Sequence, residues 1–194
     1  MAVTRVLYEA EGWGEGELWF EGSRLVWHEL PRPRLSEPSL ERPRPSRVRP
    51  HPGGVNTRRP LRSTIPAKSA HVRDGNAPTS QKLVHALRRY FAGERISFDD
   101  VEVDLDGSTP FQLALVRELR RVPYGEVISY GDLARAAGRP KAQRVAGTFC
   151  AQNRFPLVLP CHRIVAANAI GGYGSLGVEY KRRLLQLEGC RRAL

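Results

Sequence analysis

Pro160-Cys161-His162-Arg163-Ile164 is the stretch from which the rest of the chain is read. It follows an apolar run, Phe155-Pro156-Leu157-Val158-Leu159, and precedes a glycine-rich turn, Gly171-Gly172-Tyr173-Gly174. The run predicts a short buried strand that ends at Pro160 and delivers the cysteine to the strand's edge. A thiolate is a strong nucleophile whose reactivity is set by a neighbouring base or positive field. A cysteine in apolar surroundings packs instead as a small inert hydrophobe. His162 and Arg163 flank this one and suit a thiolate better than a core, so Cys161 is the candidate nucleophile.

Working toward the N-terminus, three helices are predicted. Residues Phe111 to Val122 place Leu113, Val116 and Leu119 on one face. Pro123-Tyr124-Gly125 ends that helix; a second, capped by Ser129, runs from Tyr130 to Ala137. After the turn Gly138-Arg139-Pro140-Lys141, a third runs from Ala142 to Ala151. Two short helices joined by a glycine-containing turn, the second bearing basic residues, give a helix-turn-helix outline. Helical pairs of this size also occur in proteins that bind no DNA. The third helix is lined by Ala142, Val145, Ala146, Gly147 and Ala151, with only Gln143 and Arg144 as polar probes. Reading base edges in the major groove asks for long hydrogen-bonding side chains. So smooth a helix fits a narrow groove, with Arg144 long enough to enter the base stack, or else a tightly packed core with Arg144 in solvent.

The remainder of the chain reads as a variable N-terminal domain, residues 1–107, before a compact domain of residues 108–194. Residues 3–30 form a small β unit, with Leu18-Trp19-Phe20 and Arg24-Leu25-Val26-Trp27 as strands around the turn Glu21-Gly22-Ser23. Residues 31–78 hold ten of the fifteen prolines and form neither sheet interior nor helix, so they read as a surface loop or disordered insert. A helix resumes from Ser80 to Phe91 and stops at Gly93. The fold class is α+β: a small N-terminal sheet with a helix, then a mostly helical C-terminal part.

The 194 residues carry a net charge of +11, unevenly spread. Residues 1–30 total −4, residues 31–73 total +9, residues 74–107 total −3 and residues 108–194 total +9. A basic domain that holds a nucleophile suits a polyanionic partner, although arginine-rich proteomes produce the same balance without one. Cys150, Cys161 and Cys190 are too few and oddly spaced for a disulfide framework or structural zinc, and the five histidines show no ligand spacing. There is no apolar span of membrane length and no apolar leader, so the expectation is a cytoplasmic protein without a membrane partner.

Gly125-Glu126-Val127-Ile128-Ser129-Tyr130, Arg144-Val145-Ala146-Gly147, Asn153, Pro160-Cys161-His162-Arg163-Ile164-Val165 and Gly172-Tyr173-Gly174 occur in this order and spacing. Together they resemble the O6-alkylguanine-DNA alkyltransferases, also called methylated-DNA–protein-cysteine methyltransferases. The likeness runs from about Thr109 to Gly189. The insert at 31–78 is a departure, and Arg-Val-Ala-Gly stands where many members have Arg-Ala-Val-Gly. The resemblance implies a DNA repair protein that moves the alkyl group of O6-alkylguanine, and less efficiently O4-alkylthymine, onto Cys161. The transfer is single, irreversible and stoichiometric, and follows flipping of the nucleotide out of the duplex. It further implies that His162 deprotonates Cys161 through a water, that Glu188 orients His162, and that Asn153 ties the helix bearing Arg144 to the turn before Cys161. By the same resemblance Tyr130 pushes the 3′ phosphate and meets the base, Arg144 fills the vacated stack, and Gln143 and Ala142 accompany it on the DNA. Tyr173, the Gly174 amide and the Ile164 carbonyl line the guanine pocket. The partner implied is double-stranded DNA approached from the minor groove by a monomer, with no cofactor and no metal.

Three other readings use the same residues. A lesion sensor of this family lacks the acceptor cysteine, which is present here. A helix-turn-helix regulator leaves Pro160-Cys161-His162 unexplained. A cysteine hydrolase built on Cys161, His162 and Glu188 would turn over, whereas an alkyl acceptor stops after one equivalent.

Overall fold

The computed structural model describes residues 3–33 and 78–190. The expectation for the insert therefore falls outside the described residues from 34 to 77. Strands β1 (Val3–Ala10), β2 (Gly14–Glu21) and β3 (Arg24–Arg32) form an antiparallel meander in that order. Gly22 takes a φ of 63° in the two-residue link between the paired residues Glu21 and Arg24, a conformation tight hairpins favour. The β3 strand continues to Arg32, past where the insert was expected to begin. Its Pro31 falls where the β2–β3 register shifts between Glu15 and Glu17, so the missing amide costs no regular ladder bond. Helix α1 (Pro78–Phe91) lies on the meander and buries Leu83, Leu87, Tyr90 and Phe91 from one face.

Helix α2 (Pro110–Arg120) starts at a capping box in which Thr109 accepts from the Gln112 amide and Gln112 answers the Thr109 amide. It buries Phe111, Leu115, Val116 and Leu119. Leu113, expected on that face, is 43% exposed: the inward stripe is rotated so that Phe111 and Leu115 fill the core instead. Helix α3 (Tyr130–Ala136) is capped by Ser129 in a box with Asp132, and helix α4 (Gln143–Ala151) follows after the predicted turn.

The strand expected over Phe155–Leu159 is not there. The run is buried, but it folds as a compact turn with one isolated bridge between Pro156 and Leu159. Leu159 N donates to Phe155 O at 2.8 Å, and Leu157 adopts a φ of 69°. Pro156 and Pro160 each lack the amide a ladder would use, so the apolar pattern is satisfied by burial without pairing. The strands that do form are shorter and elsewhere. Strand β4 (Ile128–Ser129) pairs in parallel with β5 (Ile164–Val165), joining the start of α3 to the residues just after Cys161. Helix α5 (Gly177–Leu187) closes the fold and buries Lys181, Leu184 and Leu185. One continuous apolar core runs from Tyr8 and Leu25 through Tyr90 to Leu133, Cys161 and Leu184. Among the described residues no helix is long and apolar enough to cross a membrane.

Candidate active site around Cys161

Cys161 begins a single 3-10 turn, Cys161–Arg163, instead of ending a strand. Its amide donates to Leu159 O at 2.7 Å, which bends the chain sharply at Pro160. The side chain is 5% exposed and lines a cavity of about 400 Å³. Asn153, Pro156, Cys150, Tyr173, Gly174 and Ser175 share that wall, and Trp27, Glu29 and Arg32 of β3 complete the rim. The thiol is thus buried but faces a space large enough for a small planar ligand.

Asn153 is the residue closest in function to the sulfur. Its amide nitrogen reaches Cys161 Sγ at 3.0 Å and Leu159 O at 2.8 Å, while its carbonyl oxygen accepts from Phe155 N at 3.0 Å. The Asn153 amide in turn donates to Cys150 O at the end of α4. One residue, through its backbone amide and its side chain, therefore joins the last turn of α4, the Phe155–Leu159 turn and the nucleophile.

The next residue, His162, is fully buried. Its Nε2 lies 2.8 Å from Glu188 Oε1. An ionised carboxylate can only accept, so Nε2 carries the proton and Nδ1 keeps its lone pair. Nδ1 is buried and has no hydrogen-bond partner among the described residues. Glu188 sits just past the end of α5 and collects five donors. Oε1 accepts from Tyr90 at 2.7 Å, from His162, and from Arg163 Nη2 at 2.9 Å; Oε2 accepts from Arg163 Nε at 2.9 Å and Gly125 N at 3.1 Å. Gly125 has a φ of 80°, and a Cβ there would stand 2.7 Å from Glu188 O, so only glycine lets the loop approach. Arg163 therefore serves the carboxylate and the Val122 carbonyl, where the sequence had suggested a role beside the thiolate.

The electrostatics follow from burial. Burial alone would push the Glu188 carboxyl up, but His162 and Arg163 outweigh it and hold the group well below the usual carboxylate range. Burial pushes His162 down more than Glu188 raises it, so the imidazole is neutral near neutral pH. Burial also pushes the Cys161 thiol up; the Asn153 hydrogen bond and the Lys181 ammonium are the main opposing effects, with the Tyr173 hydroxyl adding to them. At rest the site therefore holds a protonated thiol and, on the next residue, a neutral imidazole able to accept a proton.

Lys181, which sequence reasoning missed, is buried on α5 beneath this site. Its ammonium donates to Ile164 O at 2.5 Å and to Gly172 O at 3.5 Å, and lies 5.8 Å from the Tyr130 ring. The run Tyr180-Lys181-Arg182-Arg183 reads as a solvated charge cluster. The signal lay in spacing: Lys181 shares a helical face with Leu184 and Leu185, both fully buried. Tyr90, another ligand of Glu188, lay in a segment read only as a helix, and Gly125 entered only as the end of a helix and the start of a family motif, with no role of its own.

The structure pairs Cys161 with Asn153 and His162 with Glu188 in two hydrogen-bonded groups joined through the Cys161–His162 peptide bond, and puts Tyr173 and Gly174 on the cavity wall. The Tyr173 hydroxyl is buried and makes no hydrogen bond of ordinary geometry to any described residue. Ile164 is behind the wall, its carbonyl engaged by Lys181. Tyr130 is half-buried at the start of α3, close under Gly147 and Gly171, and does not line the cavity; burial first, then Cys150 and Cys161, push its hydroxyl up to about 12. Gln143 and Arg144 are exposed at the start of α4, with Ala142 as its N-cap, away from the thiol. Among the described residues no group of three or more His, Cys, Asp or Glu side chains is gathered around a metal position.

Comparison with known proteins gives this geometry a context. Residues 110–190 match the family model of the 6-O-methylguanine DNA methyltransferase DNA-binding domain. The methylated-DNA–protein-cysteine methyltransferase of Methanopyrus kandleri is 43% identical over 130 residues, 67% of this chain and 95% of that protein. The crystal structure of the Mycobacterium tuberculosis O6-methylguanine methyltransferase is 30% identical, with a TM-score of 0.66 over 96% of this chain and 92% of that one. A structure of the same Mycobacterium protein in complex with DNA has a TM-score of 0.64 at 30% identity, over 97% of this chain and 93% of that one. These relatives are transferases whose acceptor is a protein cysteine. The chain belongs to their family, the methylated-DNA–protein-cysteine methyltransferases.

Proposed function

We propose that Cys161 is the acceptor in the repair of DNA by alkyl transfer. The observation that carries this reading is a thiol bonded by Asn153, adjacent to a buried neutral imidazole, facing a cavity of about 400 Å³. His162 Nδ1 takes the thiol proton, through a water in the scheme the resemblance implies, and Glu188 stabilises the imidazolium that forms. The thiolate attacks the alkyl carbon of O6-alkylguanine. A carbon–sulfur bond forms, the carbon–O6 bond breaks, and guanine leaves after gaining a proton. Nothing regenerates the thiol, so each molecule acts once. The O4 position of thymine offers the same leaving chemistry in a smaller ring and reacts less efficiently.

The alkyl carbon is hidden in a duplex, so the nucleotide must swing into the cavity, at a cost of about a few kcal/mol. Exposed Arg144 on the smooth face of α4 offsets that cost from the minor groove by filling the gap, with Gln143 and Ala142 beside it. Tyr130 presses on the 3′ phosphate, and Tyr173 and the Gly174 amide on the cavity wall hold guanine; the contacts the resemblance gives to Tyr130 and the Ile164 carbonyl on the base require that wall to shift as the nucleotide enters. The protein acts as a monomer. Residues 1–107 and 108–194 are its two domains, the second carrying the chemistry and the contacts to DNA. The deciding experiment is intact mass after mixing with a duplex containing O6-methylguanine. One added methyl group, mapped to Cys161, is the expected result; an unchanged mass, or a methyl group on Cys150 or Cys190, rejects the reading.

A further inference from the structure

Among the described residues, Tyr90 is the one ligand of the Glu188 carboxylate that comes from the N-terminal half of the chain. It lies on α1, is fully buried, and its hydroxyl makes the shortest of the five contacts, 2.7 Å to Oε1. That oxygen is the one His162 uses, and Arg163 Nη2 reaches it as well. A carboxylate oxygen offers about two lone-pair positions, so three donors on Oε1 compete for the same electron density. We propose that Tyr90 is a positioning residue for alkyl transfer: its hydroxyl fixes the orientation and the basicity of the carboxylate that holds His162. The proposal rests on the functional reading above and assigns the α1 helix a part in it.

The argument is electrostatic and geometric. A neutral donor on Oε1 draws charge away from the imidazole. Without it, the same carboxylate holds the imidazole N–H more strongly and favours the protonated ring. The other groups around the pair do not change: Arg163 on the same turn, Lys181 on α5, the Cys161 thiol, and Tyr124, whose ring lies beside Arg163. A base that already holds a proton cannot accept one from Cys161. Loss of the Tyr90 hydroxyl therefore makes activity disappear at a higher pH on the acid side. The ring itself is held by Phe91, Phe98 and Tyr124 at centroid distances of 5.4, 5.8 and 6.1 Å, and phenylalanine preserves that packing.

Tyr124 supplies the control. Its hydroxyl donates to Leu187 O at 3.2 Å, next to Glu188 but not on the carboxylate. The experiment follows methyl transfer from an O6-methylguanine duplex against pH in wild type, Tyr90→Phe and Tyr124→Phe. It also titrates the His162 ring nitrogens by NMR, a readout that needs no transfer. In Tyr90→Phe the acid limb and the NMR midpoint both move up by roughly half a pH unit or more, about a three-fold change in proton affinity; in Tyr124→Phe both stay. A Tyr90→Phe protein that unfolds at lower temperature while both midpoints remain at the wild-type position overturns the proposal and makes Tyr90 a packing residue. Should Tyr90→Phe fail to fold, 3-fluorotyrosine at position 90, a stronger donor of nearly equal size, moves both midpoints down; unmoved midpoints overturn the proposal. Absence of transfer in the wild type overturns the functional reading instead, and the NMR midpoint then decides the tyrosine's role alone.

Discussion

At Cys161 three neighbours act on one sulfur in the same sense. Asn153, Lys181 and Tyr173 all favour the anion against burial, and burial still prevails at rest. Replacing Lys181 by leucine removes the buried cation and leaves two carbonyls, Ile164 O and Gly172 O, without that donor. Orphaned buried acceptors cost about 1–3 kcal/mol each at most, so a measurable drop in stability is expected. The more specific outcome concerns reactivity: the pH curve for iodoacetamide labelling of Cys161, read by peptide mass, moves to higher pH. A curve that stays in place shows the ammonium does not govern the thiolate. For the wild type, the acid side of methyl transfer falls below the ordinary imidazole pKa of about 6.5, because burial lowers His162. These residues differ in how much of their role the sequence exposed. Cys161, His162 and Asn153 sit in or near one short motif, whereas Lys181 and Tyr90 owe their roles to contacts made across long stretches of chain.

Among the elements, β3 does more than complete a meander. His28 N donates to Arg154 O at 3.0 Å, its ring Nδ1 donates to Pro156 O at 2.8 Å, and Nε2 accepts from Tyr8 at 2.8 Å. This strand therefore braces the turn that carries Asn153. Tyr180 on α5 donates to Pro31 O at 2.9 Å, and Arg32 to Ser175 Oγ at 3.1 Å, so β3 grips the opposite side of the cavity as well. Burial lowers the His28 pKa from 6.5 to about 4, against the Pro156 bond that raises it. The unfolded chain then binds a proton more readily than the folded one between those values, and stability falls as pH drops from 6.5 toward 4. The contribution is on the order of 3 kcal/mol at most, from about 1.4 kcal/mol per pH unit. His28→Gln should lower the unfolding temperature near pH 7 and flatten its dependence on pH between 6.5 and 4; an unaltered slope removes His28 as the source. At this scale α1, α3 and α4 were legible because periodicity, caps and turn residues agree locally. The Phe155–Leu159 turn was not, because an apolar run reports burial and not pairing. The two-residue strands β4 and β5 leave no periodic trace, and pair only because the tertiary fold brings them together.

For the molecule as a whole, the shared core and the Tyr90 and His28 contacts bind the N-terminal sheet and α1 to the C-terminal part, so heating should give one cooperative transition by calorimetry. Two separated transitions would show that the halves fold independently. Arg144 belongs to this scale because the role proposed for it is played on a partner. Arg144→Ala should slow reaction with a lesion duplex by roughly ten-fold or more, given about a few kcal/mol for extruding a base, and slow reaction with free O6-benzylguanine far less. Equal loss on both substrates removes its part in opening the stack.

Strand β3 ends at Arg32 on the lip of the thiol's cavity, and the exposed Pro33 is the next residue. The arginine-rich stretch of sequence therefore starts beside the mouth of the cavity that Cys161 lines. A fluorophore attached at position 33 would thus sit beside that mouth and report on whatever enters it.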